Sequence, residues 1–326
     1  MLLTMSPRLA AMALAVGLAV TALPSFAQTY PSGPVHLVVA YAAGGTGDVV
    51  ARIIAPKLSI ALGKSVIVEN RAGASGAIGA HSVATAAPDG LTLLVGQTAE
   101  VAINQHWLKG LNYDPDKDLQ PVALLAVVPL ALVVPAKAPY STKPELQAAL
   151  RTGKLTFASA GTGTPGHFAG EMLKAKTKSN LTHVPYKGAG PALNDLIGGH
   201  VDLYFPGMPA AMPLLKGGLV KVLAVSSAKR SAIAPNVPTV AETTGMTDFD
   251  FTLWAGIFAP RGTPEPIVAK LNGEINKVLN EPDVRQRLVE AGAEVDPMSV
   301  DQFRAFVNAE SSKYLRIIKE TGMAAQ

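Results

Sequence analysis

The run VHLVVAY at residues 35–41 is apolar at nearly every position. A strand wetted on one face alternates apolar and polar residues. An unbroken run therefore marks a strand buried on both faces, as in a parallel sheet covered by helices. Gly44 to Asp48 then form a turn, and Val49, Val50, Ile53, Ile54, Lys57, Leu58 and Ala61 recur at helical spacing. A second strand is expected at 65–69, a second helix at 76–87 closed by Pro88-Asp89-Gly90, and a third strand at 91–96. This β-α-β-α-β order predicts a parallel sheet with right-handed crossovers.

The pattern then restarts. Strands are expected at 155–159, 182–185, 201–205 and 221–226, with helices at 165–176 and 191–197. The tail reads as three helices, at 264–279, 283–291 and 300–320. The apolar run 122–135 is broken by Pro129 and is too short to span a bilayer; it reads as two buried strands. Two segments cross between the halves, 127–135 and FTLWAGIFAP at 251–260. The expectation is α/β with two lobes, parallel or mixed sheets and a hinged cleft. Lobe 1 is discontinuous, 28–128 with 256–326, and lobe 2 is 129–255.

The first 27 residues differ from the rest. Arg8 precedes an apolar stretch at 9–23, and Ser25-Phe26-Ala27 has the small-x-small form of a cleavage site. This predicts a secretory signal peptide cut after Ala27, with a membrane anchor as the alternative. Removing it leaves 299 residues with a formal charge of +3, enough chain for two cores. No Lys/Arg stripe with interleaved aromatics occurs, which disfavours nucleic acid; a mild positive excess suits a small anion. The absence of cysteine removes thiolate chemistry and cysteine metal sites.

Each half carries a glycine-rich loop between its first strand and the next helix. The first is Tyr41-Ala42-Ala43-Gly44-Gly45-Thr46-Gly47-Asp48. The second is Ser159-Ala160-Gly161-Thr162-Gly163-Thr164-Pro165-Gly166-His167. Ligands in open parallel sheets sit outside the carboxyl ends of the strands. Helix N-termini there offer free N–H groups and partial positive charge. Thr46, Thr162 and Thr164 add hydroxyls, and Pro165 suits a first helical turn. Tight turning alone would also explain the glycines. Gly161, Gly163 and Gly166 match the dinucleotide fingerprint G-x-G-x-x-G. The next strand, however, ends in Tyr186-Lys187, where a ribose-binding acid would be needed. What remains is the physics the fingerprint shares with this loop: a glycine turn, exposed amides and a helix N-terminus that would suit an anion.

Six segments in order resemble the Bug receptor family, the periplasmic solute receptors of tripartite tricarboxylate transporters. They are YPSGPVHLVVAYAAGGTGDVVAR at 30–52, VIVENRAGASGAIGA at 66–80 and APDGLTLLVG at 87–96. ASAGTGTPGH at 158–167, HVPYKGAGPALNDLIGGHVDLYF at 183–205 and LWAGIFAPRGTP at 253–264 complete the set. The resemblance covers essentially all of the chain beyond residue 27. It implies a two-lobed periplasmic-binding-protein fold with a Venus-flytrap cleft. It also implies a small carboxylate ligand, often a dicarboxylate or an acidic amino acid, with one carboxylate held by the two loops and ordered waters. By position, residues 42–48 and 159–167 would hold the carboxylate and 97–104 would line the cleft. Tyr186-Lys187 and the segment from Asp202 to Phe205 and Pro206 would close it from lobe 2. Receptors of this kind bind without a cofactor and pass their ligand to integral-membrane subunits, and a monomer is expected.

One segment departs from the family pattern. Gln97-Thr98-Ala99-Glu100-Val101-Ala102-Ile103-Asn104 places Glu100 and Val101 where a hydroxyl and an imidazole are usual. If Glu100 faced the pocket beside Thr98, it would repel a second ligand carboxylate. Alternatively it opens the next helix and faces water. His167, beside the second loop, either contacts ligand or caps the turn. Asp48 reads as structural, binding loop amides and pairing with Arg52, and Trp254 reads as core. The six histidines show no metal-ligand spacing. Ser75 sits in GASGA, which lacks the last glycine of a nucleophile elbow. The expectation is a receptor rather than an enzyme, with an exported enzyme acting on a small carboxylate as the alternative.

Overall fold

A computed structural model describes residues 30–321 except 141, 232, 233, 247 and 248; the signal-peptide expectation lies outside the described residues. Strands β1 (Val35–Val39), β2 (Val66–Asn70) and β3 (Thr92–Gln97) pair in parallel, with β1 in the middle. Their connections are helices α1 (Thr46–Leu62) and α2 (Ala77–Ala84). Side chains alternate across a strand, and β1 shows it. Val35, Leu37 and Val39 pack with Val50, Ile54 and Leu58 of α1 on one face. Val38 packs with Ala80 and Val83 of α2 on the other. Both sets are fully buried, which is why the run lacks polar breaks.

Beyond β3 the chain forms a wide π-helical turn (Ala99–Ile103) and helices α3 (Asn104–Trp107) and α4 (Pro115–Asp118). It then enters β4 (Leu119–Pro129). Only Leu130 separates β4 from β5 (Ala131–Pro135), the first strand of a second sheet. Helix α5 (Lys143–Thr152), β6 (Lys154–Ser159), α6 (Pro165–Thr177), β7 (Asn180–Pro185) and α7 (Ala189–Gly198) follow. Next come β8 (Leu203–Tyr204), α8 (Met208–Lys216), β9 (Val220–Val225) and α9 (Val240–Thr244). Strand β10 (Thr252–Pro260) returns to the first sheet, and α10 (Glu265–Asn280), α11 (Pro282–Glu290) and α12 (Val300–Thr321) end the described chain.

The strand orders are β2-β1-β3-β10-β4 and β7-β6-β8-β5-β9. Both sheets are mixed. β10 runs antiparallel between β3 and β4, and β5 runs antiparallel between β8 and β9. The two crossings thus enter their sheets as long antiparallel partners rather than as further parallel strands. Helix α12 spans both lobes. Its Phe303 packs with Trp254 and Phe258 over the first sheet, and its Tyr314 joins Phe168 and Phe157 in the second core. Trp107 from α3 enters that second core as well.

Candidate functional site: the cavity between the lobes

Helix α1 starts at an extended Gly45, with no side chain capping it. The amides of its first turn therefore have no intrahelical partner. Asp48 does not use them. Its carboxylate accepts from the Gly44 N–H at 3.0 Å and from Arg52 Nε at 2.9 Å, which fastens the loop. Burial works to raise the Asp48 pKa, but hydrogen bonds from Arg52, Gly44 and Asn70 hold it below its ordinary 3.8.

The second loop is fastened by its own side chains. Thr164 Oγ1 donates to the Gly161 carbonyl at 2.7 Å, and Ser159 Oγ donates to the same oxygen at 2.9 Å. The Gly163 N–H donates to His167 Nδ1 at 3.1 Å, so that nitrogen carries no proton. Burial, then the neighbouring His183 ring 4.1 Å away, pushes His167 down to about 3, and it stays neutral. Gly163 has φ of +80°, and an added Cβ would lie 2.6 Å from Trp107. Only glycine fits there.

The lobes are closed on each other. Ser75 Oγ donates to the Thr162 carbonyl at 2.5 Å, and the Ala42 N–H donates to the Lys187 carbonyl at 3.2 Å. Gly188 and Gly190 approach Ala42 and Ala43 so closely that a Cβ at either would overlap them. Behind these contacts lies a cavity. Lobe 1 lines it with Tyr41, Gly45, Thr46, Gln97, Thr98 and Ala99. Lobe 2 contributes Ala160, Thr164, Pro165, Gly166, Ala189, Tyr204, Phe205 and Gly207, and the crossings add Leu130 and Leu253. About 30 Å³ of it is open to the centre of a water-sized sphere. One water needs roughly 10–15 Å³ by that measure, so the space suits a few linked atoms.

Among the described residues, no charged side chain lines this cavity. Three lining side chains are neutral donors whose side chains make no hydrogen bond among the described residues: Thr46 and Gln97, 4% and 5% exposed, and Tyr204, 2% exposed. Burial pushes the Tyr204 phenol well above its ordinary 10, so it remains a donor. Buried polar groups are costly without partners. Three of them facing one cavity beside a bare helix N-terminus make a site for an acceptor-rich group, and an anion is the strongest such group.

Among the sequence-expected residues, Tyr41, Gly45, Thr46, Thr98, Thr164 and Phe205 lie on the wall. Ala42, Ala43 and Gly44 stand where the lobes touch, and Gly47 packs on the Gln97 amide. Ser159, Gly161, Thr162, Gly163 and His167 build the second loop beside the wall. Three residues fall elsewhere. Lys187 is exposed and contributes its carbonyl. Asp202 accepts from the Thr156 N–H and hydroxyl, joining β6 to the turn before β8.

Glu100 faces neither the pocket nor water. It is fully buried behind Tyr41. The π-helical turn folds it back, so Oε1 accepts from the Gln97 N–H at 2.7 Å and Oε2 from the Tyr41 hydroxyl at 2.9 Å. The Tyr41 hydroxyl oxygen also lies 3.1 Å from the Ser75 carbonyl oxygen, and its single proton serves one of the two acceptors. Burial raises Glu100 to about 8, against hydrogen bonds that lower it. A protonated Glu100 fits the same geometry, donating to Tyr41 while Tyr41 donates to Ser75. Gln97 and Tyr204 lie inside the expected segments 97–104 and 202–206. Neither has a motif; only the fold brings both side chains to one cavity wall. No cluster suited to a metal ion occurs among the described residues.

Two α/β lobes joined by crossing strands, with an enclosed polar-ended cavity between them, define a bilobal solute-binding protein. The profile of the tripartite tricarboxylate transporter family receptor matches residues 50–323. The periplasmic binding protein BugD has 33% identity, covers 91% of this chain and all of its own, and superposes with a TM-score of 0.86. Rpa4515 of R. palustris, solved with adipate, has 36% identity over 90% of this chain and 99% of its own, with a TM-score of 0.86. MatC from Rhodopseudomonas palustris, solved with bound malate, has 36% identity over 89% of this chain and all of its own, with a TM-score of 0.82. The chain belongs to the tripartite tricarboxylate transporter receptor family.

Proposed function

We propose that this protein is a periplasmic receptor that captures one small carboxylate in the interlobe cavity and presents it, unaltered, to a membrane transporter. The observation that carries the reading is the set of unpartnered donors, Thr46, Gln97 and Tyr204, on a charge-free wall at the start of α1. Neutral donors and a helix N-terminus hold an anion without an opposing cation whose desolvation would have to be offset. Binding of malate by MatC and adipate by Rpa4515 supports the carboxylate. The lobes are taken as 28–128 with 256–326 and 129–255. Cleavage after Ala27, a monomeric state and transient contact with transporter subunits belong to the same proposal.

A thermal-shift series with small carboxylates tests it. A ligand at a hundredfold its Kd stabilises by about 2.7 kcal/mol, or roughly 4 °C for a chain of this size. At least one acid should raise the melting temperature on that scale and be recovered unchanged. No shift with any acid, or conversion of the acid, would refute the proposal.

A further inference from the structure

The free side-chain donors on the cavity wall, beside the open amides at the start of α1, roughly match one carboxylate. Thr46, Gln97 and Tyr204 carry about four donor hydrogens between them, and one carboxylate offers about four lone-pair sites. The other polar side chains on the wall are engaged. Tyr41 is held between Glu100 and Ser75, and Thr164 donates to the Gly161 carbonyl; Thr98 Oγ1 accepts from the Trp254 N–H at 3.1 Å, which leaves its proton as one further donor. The remaining wall is largely hydrocarbon, with Leu130, Phe205 and Leu253 its largest purely apolar members. Charges near the cavity are directed elsewhere. Asp48 is tied to Arg52, Glu100 lies behind Tyr41, and Lys187 is exposed.

We infer that the acid taken by this cavity is a small monocarboxylate with an uncharged, mainly apolar body, and that Leu130, Phe205 and Leu253 select that body. The inference rests on the carboxylate reading above and narrows it. Thr46, Gln97, Tyr204 and the first amides of α1 hold the single carboxylate. A second carboxylate would enter hydrocarbon with no counter-charge, which burial of an ion penalises heavily. The small volume works in the same direction, since each added polar atom must also find room. The site therefore discriminates by leaving a second charge unpaired.

Calorimetry on the purified, dialysed protein tests this with matched pairs: butyrate against succinate, and propionate against malonate. In at least one pair the monoacid should bind at least tenfold more tightly. Equal or tighter binding of the diacid in both pairs overturns the inference and leaves the carboxylate reading standing. If none of these acids binds, and neither malate nor adipate does, both fall together. In a second arm, Leu253→Lys puts a cation on the apolar wall and should shift the succinate-to-butyrate affinity ratio at least tenfold towards succinate. An unchanged ratio in a folded variant counts against the inference; the wild-type pairs decide it if the variant does not fold.

Discussion

Glu100 makes the stability of this protein depend on pH in a direction opposite to that of most acidic residues. Its carboxyl is fully buried, and burial moves its pKa from an ordinary 4.5 to about 8. Below pH 4.5 the group is protonated in the folded and unfolded chains alike and contributes no difference. Between 4.5 and 8 the unfolded chain loses its proton while the folded chain keeps it, so stability falls as pH rises. Above 8 both forms are ionised and the penalty is constant. At about 1.4 kcal/mol per pH unit, the passage from 4.5 to about 8 amounts to roughly 5 kcal/mol. Glu100→Gln mimics the protonated form: its Oε1 accepts from the Gln97 N–H and its amide donates to Tyr41. It has no proton to lose. His167 and His183, lowered by burial to about 3 and about 4, destabilise the fold as pH falls below 6.5, in both proteins equally. They cancel in the difference. Urea unfolding of both proteins at pH 5, 6, 7 and 8 reads that difference. The variant should gain on the wild type at each step, by several kcal/mol in all. Parallel curves would refute the assignment of a neutral, buried Glu100.

Two substitutions at the lobe contacts test closure separately from folding. Gly190 lies inside α7, where alanine is a better helix former, but its Cβ would stand 2.4 Å from the Ala43 carbonyl oxygen in the closed protein. Gly190→Ala should leave unliganded stability unchanged or raised and weaken ligand binding at least tenfold by calorimetry; wild-type affinity would show that this contact does not form on binding. Ser75→Ala removes the hydrogen bond to Thr162 across the cleft. Such a bond contributes about 0.5–1.5 kcal/mol. The ligand should dissociate roughly two- to tenfold faster in stopped flow, and an unchanged off-rate would exclude a latch role for Ser75.

The local grammar of the chain was legible because it rests on short-range physics. The apolar run at β1, the glycine turn after it and the stripe of α1 each follow from a few adjacent residues, and the second half repeats them. The antiparallel seats of β10 and β5 were not legible as such. They depend on pairings such as Ile257 with Val95, set by the whole fold. Helix α8 also escaped notice, since Pro209 and Pro213 interrupt its pattern. At the site, the two loops could be found from glycines and hydroxyls. Glu100 could not be oriented, because a π-helical turn shifts every side chain relative to an α-helical reading. Tyr204 sits at the end of a two-residue strand, too short for alternation to reveal which way it faces.

On the proposed function, the cavity between the lobes holds one small acid through Thr46, Gln97, Tyr204 and the start of α1. Native mass spectrometry of the protein purified without denaturation, before and after addition of carboxylates, measures this directly. One acid per chain is expected, released intact on unfolding and displaced in the Tyr204→Phe, Thr46→Val double variant. A protein that carries no acid and takes up none, or a double variant that retains its acid at wild-type occupancy, would contradict the account.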